Sequence, residues 1–244
     1  MSAIPRTLIL DCDGTLVSWL PRHYACYRSV TGELGLPRLS AGRYWRMKRG
    51  GADAAALLSA CGSAAVLPAF RALWLERIES PELLRLDQVL PGVRPRLRGW
   101  RASGWRLVLL TSRSRPGRFR RQLAALGLAE GWHRILVAPG GSGGAGKAEV
   151  LRRRLPGLGP AIWIGDSEAD LIGARLAGCA FCGVTSGVRD AGFLRAAGAT
   201  MVFPALAEVG LGGSRGADEA RGAWMPRAGA GPRRRAGRRR NRKI

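Results

Sequence analysis

Apolar positions along the chain fall into short runs, each closed by a polar or glycine-rich turn: Thr7–Leu10, Trp105–Leu110, Arg134–Ala138, Ala161–Ile164 and Ala180–Thr185. Runs that are apolar on consecutive positions suit strands covered on both faces, as in a parallel sheet. Between the last four runs the spacing becomes helical. Phe119, Leu123 and Leu126 follow Pro116-Gly117, and Val150, Leu151 and Leu155 follow Lys147, so that residues three and four apart share a face. Strands alternating with helices predict an α/β core, a parallel sheet wrapped by helices.

Between Leu10 and Trp105 the alternation stops. No convincing strand is present there, and Ala54–Leu58 and Phe70, Leu73, Trp74, Ile78 recur at helical spacing instead, which predicts an insertion of helices after the first strand. The core resumes at Pro91-Gly92-Val93 with a helix to about Ala102 and Gly104 as its C-terminal cap. From Leu211 the chain turns to Gly, Ala, Arg and Pro, with Trp224 its only aromatic residue. Such a stretch cannot offset its ordering entropy by burial, and it is expected to be disordered.

Composition adds a charge asymmetry. The 244 residues carry 40 Lys or Arg against 17 Asp or Glu, and residues 227–244 alone hold nine of the basic residues and no acid. Arg233-Arg234-Arg235 and Arg238-Arg239-Arg240 could offer weak electrostatic contact to nucleic acid or another polyanion, but a solvated extension is the favoured reading, and no aromatic residues interleave to stack on bases. No apolar run reaches the roughly 20 residues that span a bilayer, and Asp11 and Asp13 interrupt the N-terminus before a signal peptide can form, so a cytoplasmic protein with no membrane partner is expected. Five cysteines suit a reducing compartment better than a disulfide framework. Cys179 and Cys182 sit three apart in a predicted strand, on opposite faces, and are read as core rather than as a metal pair.

Candidate chemistry lies at the ends of the predicted strands, where open α/β sheets place their ligands. The first strand runs into Asp11-Cys12-Asp13-Gly14-Thr15, the fourth into Gly165-Asp166-Ser167-Glu168-Ala169-Asp170, and the second ends in Thr111-Ser112-Arg113. Neighbouring carboxylates behind a buried strand repel one another unless a cation or proton compensates. Acids in a first helical turn also suit the helix dipole, and a hydroxyl at a strand end also caps a helix, so each cluster alone has a structural reading. Together they can form an oxygen cage of the kind a small divalent cation prefers. Lys147 follows the glycine-rich stretch Gly140–Gly146 and is the only lysine between Thr111 and Asp166 in a chain that otherwise uses Arg, which points to a need for a compact ammonium. Gly141–Lys147 also fits the phosphate-loop pattern G-x-x-x-x-G-K, but Ala148 stands where Ser or Thr would hold magnesium.

These elements in this order, Asp11–Leu16, Thr111, Lys147 and Gly165-Asp166-Ser167 through Asp170 with Gly173-Ala174-Arg175 behind, resemble the haloacid dehalogenase-like superfamily, and within it the phosphoglycolate phosphatase-like branch. The resemblance covers about residues 7–205. It implies a Rossmann-like catalytic core at 1–16 and 91–210, a helical cap at 17–90, and a basic tail at 211–244 outside both. It further implies a Mg²⁺-dependent phosphatase of a small-molecule phosphate monoester, working through an aspartyl-phosphate. Asp11 would be the nucleophile and Asp13 the general acid and base. Mg²⁺ would be held by the Asp11 carboxylate, the Asp13 main-chain carbonyl and Asp166. Lys147 and Thr111, with the Ser112 and Gly14 region amides, would stabilise the transferring group, and Asp170 would orient Lys147 or support the metal shell. The family's dehalogenases lack the acid at position 13. Close phosphoglycolate phosphatases read Asp-Ser where this chain has Ser18-Trp19, and the insertion offers Trp19, Arg22, His23, Tyr44, Trp45, Lys48 and Arg49 as candidates to close over a substrate. A phosphotransferase or mutase on the same scaffold, and a polyanion-binding protein with an idle core, are the two alternatives.

Overall fold

The computed structural model describes residues 6–211, all but the last two of which belong to one compact unit that ends at Val209. The expected tail at 211–244 therefore lies, apart from Leu211, outside the described residues. Strand β1 (Thr7–Leu10) is the hub of the sheet and every one of its residues is buried. It leads through the two-residue β2 (Val17–Ser18) into five helices, α1 (Leu20–Glu33), α2 (Ala41–Arg49), α3 (Ala54–Ser59), α4 (Leu67–Arg77) and α5 (Pro81–Leu84). The chain returns by β3 (Gln88–Val89) and α6 (Val93–Ala102) to β4 (Arg106–Arg113) and then alternates: α7 (Pro116–Ala125), β5 (Arg134–Pro139), α8 (Gly143–Arg154), β6 (Ala161–Gly165), α9 (Glu168–Leu176), β7 (Ala180–Val184), α10 (Ala191–Ala196) and β8 (Met201–Phe203). The sheet order is β5-β4-β1-β6-β7-β8, parallel throughout, which is the predicted α/β architecture with a helical insertion.

One expectation changes, and two features go beyond the sequence reading. The interval after the first strand is not free of strand: Val17 and Ser18 pair antiparallel with Val89 and Gln88, so a short ribbon ties the two ends of the insertion together. Strand β8 carries no run long enough to stand out from sequence, and it is held by pairing with β7. The glycine-rich stretch before Lys147 is already helical from Gly143, where α8 begins. A Cβ at Gly144 would collide with the Ala169 carbonyl and the Gly173 backbone of α9, so the glycines let two helix backbones approach. Gly144→Leu is expected to push the helices apart and lower stability by about 1–3 kcal/mol, measured by urea unfolding.

The two halves pack around separate apolar clusters. Ile9, Val108, Leu110, Trp163 and Leu171 fill the space around the sheet, and Tyr27, Tyr44, Leu58 and Phe70 fill the insertion. Cys179 and Cys182 are buried free thiols, as the core reading expects. Among the described residues, no helix is long and apolar enough to cross a membrane.

Candidate active site

Register brings the candidate residues together. Leu10 of β1 is level with Leu109 of β4 on one side and Ile164 of β6 on the other. Asp11, Leu110–Thr111 and Gly165–Asp166 therefore come level side by side at the carboxyl edge of β1, while β4 runs on to Arg113 against β5. The Asp11 amide continues the ladder onto the Ile164 carbonyl at 3.0 Å. Lys147 comes from α8, and its Nζ donates to Asp11 Oδ1 at 2.6 Å and to Asp170 Oδ1 at 2.7 Å. Ser167 caps α9, and its hydroxyl donates to Asp170 Oδ2 at 2.6 Å, which fixes the carboxylate that faces Lys147. Asp166 precedes the helix, and its Oδ2 accepts from the Val188 amide at 2.6 Å. A Cβ at Gly14 or Gly187 would run into the Asp166 carboxylate, so two glycines make the room in which it sits.

The electrostatics follow from burial. Asp11 is 5%, Lys147 6%, Asp166 4% and Asp170 0% exposed, so three carboxylates share one ammonium away from water. Burial pushes Asp11 up to about 7 against the pull of Lys147. Burial, then the charges of Asp11 and Asp170, push Asp166 well above the usual carboxylate range. Burial alone would lower Lys147, but Asp11 and Asp170 raise it above its ordinary value. Oxygens of Asp11, Asp166 and Asp170 lie within 4.8 Å of one another. An all-carboxylate donor set with a surplus of negative charge fits a hard divalent cation.

Asp13 is held differently. Arg113 grips it with two bonds, Nη1 to Oδ2 at 2.5 Å and Nη2 to Oδ1 at 2.6 Å, and Arg22 of α1 adds a third to Oδ2 at 2.7 Å. Burial would raise Asp13, but Arg113 and Arg22 hold it well below the usual range. Arg22 also donates through Nε to Asp87 Oδ1 at 3.0 Å and is 1% exposed. It is thus a buried link between insertion and core rather than an open substrate contact.

The other insertion candidates separate. Trp19 and His23 line the same cavity of about 330 Å³ as Asp11, Asp13, Thr111 and Lys147, and their rings meet edge to face at 3.9 Å. Trp45 stands behind Trp19 at 5.4 Å. Tyr44 does not reach the cavity, being 1% exposed and packed against Tyr27 inside the insertion. Arg49 is spent on backbone, donating to the Thr185 and Gly187 carbonyls. Lys48 lies half-buried, and burial followed by the charge of Arg189 lowers it; its own carbonyl accepts from Arg189, which pairs with Glu168 at 2.5 Å. Ser112 lines the cavity with its Oγ buried and, among the described residues, without a hydrogen-bond partner, and Gly14 takes the left-handed turn that its position after the strand requires. No role is assigned from sequence to Arg113, Asp87 or the loop at Gly187–Val188; Arg113 lies 100 residues from Asp13, Asp87 lies 35 from Gln122, and Val188 lies 22 from Asp166.

A family model described as haloacid dehalogenase-like hydrolase matches residues 8–175, and a second, described as HAD-hydrolase-like, matches 150–209. The chain belongs to the haloacid dehalogenase-like hydrolases. Within them it is similar to the phosphatases: a phosphoglycolate phosphatase of Pseudomonas putida is 30% identical over 204 residues, 75% of this chain and 71% of that one. Among solved structures, a haloacid dehalogenase-like family hydrolase of Streptococcus pneumoniae superposes with a TM-score of 0.69 at 19% identity, covering 83% of this chain and 95% of that one. A predicted phosphoglycolate phosphatase of Haemophilus somnus gives 0.63 at 24%, with the same coverage.

Proposed function

We propose that the chain is a divalent-cation-dependent phosphatase of small-molecule phosphate monoesters that works through an aspartyl-phosphate on Asp11. The observation that supports it best is the buried group of Asp11, Asp166 and Asp170 around Lys147, with Asp13 two residues beyond Asp11 at the same sheet edge. Asp11 attacks phosphorus as the bond to the leaving oxygen breaks, and Asp13 supplies the proton that this oxygen needs. Water then attacks the aspartyl-phosphate, Asp13 takes its proton, and phosphate departs with Asp11 restored. Lys147 screens Asp11 against the incoming anion and, with Thr111 and the amides about Ser112 and Gly14, stabilises charge on the transferring oxygens. Asp11, the Asp13 carbonyl and Asp166 would hold Mg²⁺, which when bound supplies charge neutralisation and polarises the phosphate.

The grip of Arg113 and Arg22 keeps Asp13 a carboxylate, the form that accepts a proton from water. Delivering a proton to the leaving group requires release from that grip, and Arg22 sits on the insertion. Movement of α1 relative to the sheet is thereby tied to the acid step. Trp19 and His23 are placed to meet the leaving group, and domain boundaries near 16 and 91 follow from the same reading.

A panel of phosphate monoesters, phosphoglycolate among them, assayed with Mg²⁺ and with EDTA tests it. Phosphate release with Mg²⁺ and its loss with EDTA are expected, and no release from any ester overturns it; a dependence on added sugar acceptor points to the mutase. Independently of turnover, Mg²⁺ is expected to raise Tm, by about 2.7 kcal/mol of linkage at one hundred times Kd. Asp166→Asn is expected to abolish that rise.

A further inference from the structure

A second cavity, of about 390 Å³, opens between α5 and α7 and shares no lining residue with the first. Its size is that of a small-molecule site. Pro81, Leu84, Ala125 and Leu126 give it apolar walls, and Arg85, Arg118 and Arg121 bring three guanidinium groups to it. Arg118 spends one N–H on the Glu79 carbonyl at 2.9 Å and Arg85 reaches Glu82 only at 3.9 Å, so most of that donor capacity is left over. Asp87 and Gln122 complete the lining. Gln122 is 7% exposed, and its Nε2 donates to Asp87 Oδ2 at 2.6 Å, which decides which end of the amide is nitrogen. Its Oε1 is buried and, among the described residues, has no hydrogen-bond partner. Buried acceptors left without a donor are uncommon.

We propose that this cavity is an effector site for an organic anion. A phosphate or carboxylate group would meet Arg85, Arg118 and Arg121, the best-suited side chains for a planar or tetrahedral oxyanion. An apolar or aromatic body would lie against Leu84, Ala125 and Leu126 and pack over Gln122. The site has a direct line to the first cavity. Gln122 donates to Asp87, Arg22 donates to Asp87 through Nε and to Asp13 through Nη2. A ligand that fixes Gln122 and Asp87 fixes Arg22 too, and so slows the release of Asp13. This effect on rate rests on the acid–base role proposed for Asp13; the binding does not.

Anilinonaphthalene sulfonate, an aromatic body with one anionic group, serves as the probe on the full chain. Calorimetry is expected to show saturable binding to one site. Arg121→Glu and Ala125→Trp, both at exposed positions, are expected to weaken it at least about ten-fold, by reversing one charge and by filling the cavity. With p-nitrophenyl phosphate as substrate, the probe is expected to lower kcat at unchanged KM. Absence of saturable binding, or equal affinity in both variants, overturns the site; a competitive pattern places the probe in the first cavity and overturns it as well. Binding with kcat unchanged removes the effector role. If the wild type hydrolyses no phosphoester, the proposed activity falls while calorimetry still decides the cavity.

Discussion

Asp11→Asn is expected to remove turnover of p-nitrophenyl phosphate by at least about four orders of magnitude while the fold stays intact. The amide has nearly the shape of the carboxylate, and its oxygen can still accept from Lys147 at the position where Asp11 Oδ1 lies 2.6 Å from Nζ. It cannot form the acyl phosphate. Because Asp11 sits in a cluster whose carboxylates outnumber the one ammonium, and because burial already pushes it up to about 7, replacing it by a neutral group relieves repulsion with Asp166 and Asp170. Tm in EDTA is therefore expected not to fall. Loss of activity without loss of stability separates a nucleophile from a structural acid. Turnover within ten-fold of wild type, or a clear drop in Tm, contradicts the role given to Asp11.

How far this site was legible in the sequence depends on the range of the interaction. Asp11, Thr111 and Asp166 each follow a short apolar run, and parallel strands bring their carboxyl ends to one edge, so local pattern and topology suffice to gather them. Lys147 was visible because lysine is scarce here. The same composition hid the role of Arg113 and gave Arg22 the wrong one, a substrate contact instead of a link to Asp13: arginine is so abundant that no single one stands out, and their bonds to Asp13 span 100 and nine residues with Asp87 lying 65 from Arg22. Tyr44 was misplaced for a related reason. Helical spacing shows that a residue has a buried face, not whether the insertion's own core or a cavity covers it. Strand β8 is three residues long and gains its stability from β7, information that no local window contains.

Lys147 carries the second large effect, and two substitutions distinguish its functions. Lys147→Met keeps much of the apolar stem and deletes the charge, leaving Asp11 and Asp170 buried without their shared partner. Breaking a buried ion pair from one side costs about 3–5 kcal/mol, so Tm is expected to fall steeply in EDTA, and Mg²⁺ to restore part of it because a cation compensates the same carboxylates. Lys147→Arg keeps the charge but replaces a point donor 2.6 and 2.7 Å from two oxygens with a bulkier planar fork that cannot reproduce both close contacts. Stability is expected to suffer less than in the Met variant, whereas kcat is expected to fall by about two orders of magnitude. If Lys147 served only to neutralise the cluster, the Arg variant would retain turnover; a low kcat beside a largely preserved Tm shows that the position of the ammonium, and not its charge alone, is what the transferring phosphoryl group requires.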